Sequence, residues 1–332
     1  NVAVLGATGA VGETILEVLQ ERKFPVGEIF LLASERSEGK TYRFNGKTVL
    51  VQNVEEFDWS QVHIALFSAG GELSAKWAPI AADEGVIVID NTSHFRYEYD
   101  IPLVVPEVNP EAIAEFRNRN IIANPNCSTI QMLVALKPIH DAVGIERINV
   151  STYQSVSGAG KAGIDELAGQ TAKLLNGVPA DKKQFSQQIA FNCIPQIDQM
   201  MENGYTKEEM KMVWETQKIF NDPSITVNPT CVRVPVFYGH AEAVHVETSS
   251  PIDAQEVVNL LEQTDGIEVF HGDNFPTQVR DSGGKDHVMV GRIRNDISHH
   301  SGVNLWVVAD NVRKGAATNA VQIAEILIRD YY

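Results

Sequence analysis

The stretch Asn124-Pro125-Asn126-Cys127-Ser128-Thr129 sets one thiol in a polar turn at the head of an apolar helical run. Ile121-Ile122-Ala123 before it reads as the end of a buried strand, and Ile130, Leu133 and Val134 after it fall at the i, i+3, i+4 spacing of an inner helix face. Pro125 biases the preceding residue away from helix, so the helix starts after it. A thiol at that point feels uncommitted N–H groups and the positive end of the helix dipole. Both favour thiolate, the nucleophilic form. A structural core cysteine is the alternative, and Asn, Pro, Ser and Thr make poor core neighbours for one.

Other residue types along the chain suit an anionic ligand. Arg233 is embedded in Cys231-Val232-Arg233-Val234-Pro235-Val236-Phe237, which reads as a strand, and a half-buried arginine there needs an anionic partner. His240 follows Gly239 at the entry of a second alternating strand that runs through Ala241-Glu242-Ala243-Val244-His245-Val246-Glu247; it is either structural or catalytic. Glu208 and Lys211 are three apart on a helix face, where a surface ion pair is the simple reading. Arg96 lies in a polar loop after Val86-Ile87-Val88-Ile89-Asp90 and is either solvated or an anion site. His299-His300 reads as a solvated or hydrogen-bonded loop pair, and no metal site is expected. Ser157-Gly158-Ala159-Gly160-Lys161-Ala162-Gly163 resembles a phosphate loop only superficially. Ala162 follows the lysine and Ser155 takes the first glycine's place, so ATP binding is rejected.

The elements that must position these residues begin with Val2-Ala3-Val4-Leu5, a strand that runs into Gly6-Ala7-Thr8-Gly9-Ala10-Val11-Gly12 and then a helix carrying Ile15, Leu16 and Leu19. Thr8 stands where the Rossmann spelling has its second glycine, giving a G-x-x-G-x-x-G variant. Its backbone N–H groups and helix start suit a pyrophosphate. Ile29-Phe30-Leu31-Leu32 is the second strand, and Ser34, Arg36 and Ser37 after it suit a 2′-phosphate, hence NADP; that preference weakens if Glu35 rather than Arg36 faces the ribose. His63 to Phe67 is a further strand, ending in Ser68-Ala69-Gly70-Gly71, a second small-residue turn expected beside the first at the sheet's carboxyl edge. Strand and helix alternate through this half, which argues a parallel doubly wound sheet. In the second half, Arg147 to Val156 alternates as a sheet with one ligand-facing or solvated side. Asp310 to Gly315 is expected to start the final helix, with Ala320, Ile323, Ala324 and Leu327 on one face.

The 332 residues suffice for about two domains, and 44% hydrophobic content is that of a globular protein with a sizeable core. A net charge of −16 argues against nucleic acid or an anionic membrane as partner. No apolar run approaches a membrane span, and with a strand starting at Val2 no signal peptide is expected. Cys127, Cys193 and Cys231 leave an odd thiol with no metal-type spacing, which fits a reducing cytoplasm.

Taken in order, the glycine turn, the Asn126-Cys127 turn, Ser157-Gly158-Ala159-Gly160 and Arg233…His240 resemble the aspartate-β-semialdehyde dehydrogenases, over nearly the whole chain. The resemblance implies an α/β fold: a Rossmann NADP-binding domain, residues 1–128 plus 311–332, and an inserted α/β catalytic and dimerisation domain with a mixed sheet, residues 129–310, as in glyceraldehyde-phosphate dehydrogenases. It implies Cys127 as acyl-carrying nucleophile, His240 as acid/base, and Gln154 as a catalytic and substrate-orienting residue. Arg233 would grip the substrate carboxylate and Glu208 its amino group, with Arg96, Asn126 and Lys211 at the phosphate. Gly6, Thr8, Gly9, Ala10, Val11, Gly12, Ser34, Arg36, Ser37, Ala69, Gly70, Ser157, Gly158 and Asn311 would serve the cofactor. The implied reaction is NADPH-dependent reduction of L-4-aspartyl phosphate through a cysteine thioester, by a cytoplasmic homodimer. That step supplies the lysine, threonine, methionine, isoleucine and diaminopimelate routes. Two alternatives stay open: a sibling, N-acetylglutamyl-phosphate reductase or a glyceraldehyde-phosphate-type dehydrogenase, whose substrates lack the free amino group, and a non-catalytic NADP-sensing regulator.

Overall fold

The computed structural model describes residues 1–331 of the chain. It divides into two compact units, Asn1–Asn126 together with the chain from Ala316 onward, and Cys127–Gly315. The cuts thus fall at 126/127 and 315/316, where the sequence reading put them at 128/129 and 310/311.

In the first unit the apolar runs form the expected alternation: β1 (Val2–Leu5), α1 (Ala10–Glu21), β2 (Ile29–Ala33), β3 (Thr41–Phe44), β4 (Lys47–Asn53), β5 (Ile64–Phe67), α2 (Gly71–Asp83), β6 (Ile87–Asp90) and β7 (Ile121–Ala123). The sheet order is β3-β4-β2-β1-β5-β6-β7, all parallel except the β3–β4 hairpin. Strands β1, β5, β6 and β7 are buried along their whole length, as a sheet covered on both faces requires. Val4, Leu31, Leu66 and Ile89 share one core with Ile15 and Leu19 of α1 and with Ala320, Ile323, Ala324 and Leu327 of the last helix. That helix runs Thr318–Tyr331, later than expected, because Arg313–Ala317 forms a wider π-type turn.

The second unit contains α3 (Cys127–Val143), β8 (Ile145–Gln154), α4 (Gly160–Leu175), α5 (Lys207–Phe220), β9 (Thr226–Arg233), β10 (His240–Thr248), α6 (Ala254–Glu262), β11 (Ile267–Val269), β12 (Val288–Asn295) and β13 (Gly302–Ala309). Its six-stranded sheet, order β11-β12-β13-β10-β8-β9, is mixed: β8–β9 and β11–β12 are parallel and the other pairs antiparallel. Along β8, Ile148, Val150, Thr152 and Gln154 are buried, while Asn149, Ser151 and Tyr153 are half-buried on the opposite face. Helices α3 and α5 pack on the buried face. Helix α5 starts with a full capping box between Thr206 and Glu209. The strand expected to run to Phe237 stops at Arg233, since Pro235 has no N–H to continue a ladder.

Candidate active site

Sheet register assembles the second unit's polar residues. Gln154 is the last residue of β8, Arg233 the last of β9 and His240 the first of β10, and Gln154 pairs directly with each of the other two. Three side chains from distant parts of the sequence therefore leave one edge of the sheet together. All three are buried, with exposures of 1%, 6% and 0%. Cys127 opens α3, as the turn chemistry predicts, and is half-buried, whereas Cys193 is exposed and Cys231 buried. Cys127 and Arg233 act on one another electrostatically. Gly315 lies against the nucleophile candidate, since a Cβ there would come within 2.8 Å of the Cys127 Cβ.

The histidine has a defined tautomer. The Ser155 backbone N–H donates to His240 Nδ1 at 3.1 Å, and Ser155 Oγ stands 3.2 Å from the same atom. An N–H donor can only meet an unprotonated nitrogen, so neutral His240 carries its proton on Nε2. Nε2 is buried and makes no hydrogen bond among the described residues. Burial, reinforced by the Arg233 charge, lowers the His240 pKa from 6.5 to about 3. The imidazole is neutral at neutral pH and presents a proton donor. Ser155 is itself held: Asn311 Oδ1 accepts from Ser155 Oγ and Ser157 Oγ at 3.1 Å each and from the Gly239 N–H at 2.8 Å. Asn311 and Ser157, expected at the cofactor, thus also brace the loop under His240. Gly158 has a packing role, because a Cβ there would lie 2.8 Å from Arg233 Nη1 and 3.3 Å from His240 Nε2.

Arg233 donates through Nη1 to the Ser155 carbonyl at 2.7 Å, and Phe185 lies with its ring centroid 5.9 Å from the guanidinium carbon. Gln154 donates through Nε2 to Glu208 at 3.1 Å and accepts from Thr152 Oγ1 at 2.9 Å. Lys211 Nζ reaches Glu208 at 3.0 Å and Asp198 at 2.9 Å. The Glu208–Lys211 pair exists, but it is not a surface pair, since the side chains are 7% and 12% exposed. Burial works against the Lys211 charge, but the two carboxylates outweigh it and hold its pKa above the ordinary lysine value. Sequence reasoning missed Ser155, Phe185, Asp198 and Gly315. Only Ser155 carried a signal, standing next to Gln154 at a strand end.

The first unit holds the remaining candidates. Gly6 has φ +86°, and a Cβ there would meet the Ser68 carbonyl carbon at 2.8 Å; a Cβ on Gly12 would overlap the Gly6 carbonyl oxygen at 2.1 Å. These glycines let Gly6, Thr8 and Gly9 turn tightly against the Ser68-Ala69-Gly70 turn, the two small-residue turns meeting as expected. Gly9 caps α1 without any side-chain hydrogen bond, so the first-turn N–H groups of Ala10 and Val11 are not covered by a cap. That cradle fits a pyrophosphate. Ser34, Glu35 and Arg36 are exposed around a 3₁₀ turn after β2, and Lys40, which the sequence reading passed over, donates to Ser37 Oγ at 3.3 Å. Arg96 is 6% exposed and pinned by hydrogen bonds to the Asn124 carbonyl at 2.9 Å and the Asn91 carbonyl at 2.8 Å, close in sequence to buried Asn126. Asp90 at the end of β6 fixes that loop by accepting from Ser74 Oγ, Thr92 N and Thr92 Oγ1. Lys211 belongs to the other unit.

Comparison with known proteins agrees with this division. Residues 1–116 match the NAD binding domain of semialdehyde dehydrogenases, and residues 136–314 match the semialdehyde dehydrogenase dimerisation domain. Aspartate-semialdehyde dehydrogenase 2 of Vibrio cholerae serotype O1 is 88% identical over 332 residues, covering 100% of this chain and 98% of that protein. The crystal structure of aspartate semialdehyde dehydrogenase II from Vibrio cholerae, complexed with ASA, has a TM-score of 1.00 at 88% identity, covering 100% and 99% of the two chains. The Candida albicans aspartate semialdehyde dehydrogenase structure with NADP has a TM-score of 0.77 at 25% identity over 98% of each chain. With its sheet-edge Gln154, Arg233 and His240 and its helix-start Cys127, the chain belongs to the aspartate-semialdehyde dehydrogenase family.

Proposed function

We propose that the chain reduces L-4-aspartyl phosphate to L-aspartate 4-semialdehyde and phosphate, with NADPH as reductant. The observation that carries this reading is the register that brings Gln154, Arg233 and His240 to one sheet edge. The Cys127 thiolate attacks the acyl carbon, the C–O bond to phosphate breaks, and a thioester forms. NADPH, held by the Gly6–Gly12 turn with Arg36 and Ser37 toward the 2′-phosphate, supplies the hydride when bound. The His240 Nε2–H donates to the carbonyl oxygen as negative charge builds on it. Collapse of the thiohemiacetal breaks the C–S bond and returns the thiolate. Arg233 forks the substrate carboxylate, Glu208 meets the amino group, and Gln154, held by Thr152, orients the acyl group. Arg96, Asn126 and Lys211 receive the phosphate.

We further infer a homodimer formed by the second unit, through the sheet face that carries Asn149, Ser151, His245 and Asn304. That face is half-buried and encloses a polar hollow of about 250 Å³. No helix among the described residues is long and apolar enough to cross a membrane. A nucleophilic thiol that must stay free suits a reducing compartment such as the cytoplasm. The test is run in reverse: purified protein with aspartate semialdehyde, phosphate and NADP should form NADPH. N-acetylglutamate semialdehyde or glyceraldehyde 3-phosphate in its place should not support the rate. A better rate with either would reassign the substrate.

A further inference from the structure

Beneath the sheet edge lies a carboxyl group that the proposed reaction does not use. Glu242 is 0% exposed and stands two residues beyond His240 on β10, so both side chains leave the strand on one face. It pairs across the sheet with Thr152 of β8 and Val307 of β13. Neither carboxyl oxygen has a hydrogen-bond donor among the described residues. Gln131 approaches from α3, four residues after Cys127 and also 0% exposed, within hydrogen-bonding reach of the Glu242 carboxyl. Its Nε2 donates to the carbonyl oxygens of His240 at 3.3 Å and Val307 at 3.4 Å, and its Oε1 has no donor. Turning the amide over would point Oε1 at two carbonyl oxygens.

The group therefore consists of three buried acceptor oxygens with no donor left among them. A single proton on Glu242 completes it, with the carboxylic O–H donating to Gln131 Oε1. Without that donor the acceptor oxygens stay buried and unpaired, which disfavours the folded arrangement. The influences on Glu242 are its burial and Gln131, with no charged group among them; Cys231 on β9 feels Glu242 together with Glu208 and Glu209, and His240 on its own strand, although Arg233 and Glu208 act on it, is neutral. Burial pushes the Glu242 carboxyl well above the ordinary carboxylate range and outweighs the opposing effect of its contact with Gln131.

We propose that Glu242 is a positioning residue, held as a neutral acid, which through Gln131 locks the helix that begins at Cys127 to the strand that begins at His240. Gln131 is the link, because its amide bonds directly to the main chain of His240 while its backbone belongs to the Cys127 helix. The catalytic part of this inference rests on the reaction proposed above; the protonation state does not. Two variants and two readouts separate them. Glu242→Gln keeps a neutral donor of the same length, and Glu242→Leu removes the donor at similar volume. In the phosphate-dependent oxidation of aspartate semialdehyde, Glu242→Leu should lower kcat by about tenfold with the phosphate KM unchanged, a loss of the size of one misplaced hydrogen bond. Glu242→Gln should stay within about threefold of the parent, and its pH profile should keep the parent's acid limb, because no charge has been removed. Infrared difference spectra of parent against Glu242→Gln at neutral pH should show the C=O stretch of a protonated carboxylic acid in the parent alone, whatever the enzyme's substrate. Absence of that band, or a shifted acid limb in Glu242→Gln, would mean an ionised Glu242 and overturn the proposal. A Glu242→Leu enzyme with parental kcat would overturn the positioning role.

Discussion

Holding His240 neutral has a cost that a stability measurement can read. The unfolded chain binds a proton at this histidine with the ordinary pKa of 6.5, while the folded protein does not until about pH 3. Between those values the unfolded state binds more protons than the native state, so stability falls as pH falls through that window and is unaffected above it. At about pH 5 the difference is about 1.5 pH units at about 1.36 kcal/mol each, or about 2 kcal/mol of native stability. The perturbation that isolates it is His240→Asn. The asparagine Oδ1 can replace Nδ1 as acceptor for the Ser155 N–H, and the new side chain does not titrate. Arg233 and Glu208, the charges acting on His240, and buried Glu242 are present in both proteins, so their own titrations cancel in the comparison to first order. Urea unfolding of each protein is measured at about pH 7.5 and about pH 5. The parent should lose about 2 kcal/mol more than His240→Asn across that interval. Equal losses would mean that His240 titrates as an exposed histidine does, and the assignment of a neutral Nε2–H donor would fall with it.

Other outcomes follow from the same geometry. Cys127 should alkylate much faster than buried Cys231 at neutral pH, and faster than exposed Cys193 despite its lower exposure; Cys127→Ser should bind NADP and turn over negligibly, so labelling led by Cys193 would count against a thiolate at the helix start. Arg36→Ala should raise the NADP KM about ten- to a hundred-fold, the effect of roughly 1.5–3 kcal/mol for a charge-assisted contact, and leave the NAD KM nearly unchanged. Equal weakening of both cofactors would remove Arg36 from the 2′-phosphate. Lys211→Ala should raise the phosphate KM more than the aldehyde KM, and Arg233→Ala should do the reverse. Identical ratios in the two variants would describe one undivided anion site.

The fold was legible because its signals are local. The Val2–Leu5 strand, glycine turn and amphipathic helix, the alternation of β8 and the polar turn before Cys127 are set by neighbouring residues and survive as read. Arg233 shows where local reading stops. Its apolar neighbours suggest a strand running on to Phe237, but the ladder with β8 ends at the Val234 N–H, which donates to the Gln154 carbonyl, and Ile194 arrives from a distant loop to pair with Arg233. Only the assembled sheet shows that Arg233 is terminal and level with Gln154 and His240. Phe185 and Asp198 come from the same long connection between α4 and α5, whose polar composition carries no period to read. Glu242 did carry a signal. It is in phase with Val244 and Val246 on an alternating strand, and a carboxyl in step with buried valines is a buried carboxyl.

The acidity of the chain bears on how such a site can take an anion. Arg233 and Lys211 bring two positive charges, and Glu208 and Asp198 bring two negative ones within the same hydrogen-bonded group or its immediate field. The group is close to neutral, in a protein of net charge −16, so long-range attraction does not deliver the substrate. Binding under the proposed reading is instead an exchange of partners. The Glu208 side chain is 7% exposed and tied to both Gln154 and Lys211, while the Asp198 side chain is 31% exposed and bonded to Lys211 from a loop. A phosphate that displaces Asp198 exchanges one carboxylate for a group with more charge and more acceptors, and lets the carboxylate return to water. Displacing Glu208 would strand a buried carboxylate and loosen Gln154 as well. Asp198 is therefore the partner that gives way, and Glu208 the one that stays for the substrate's amino group.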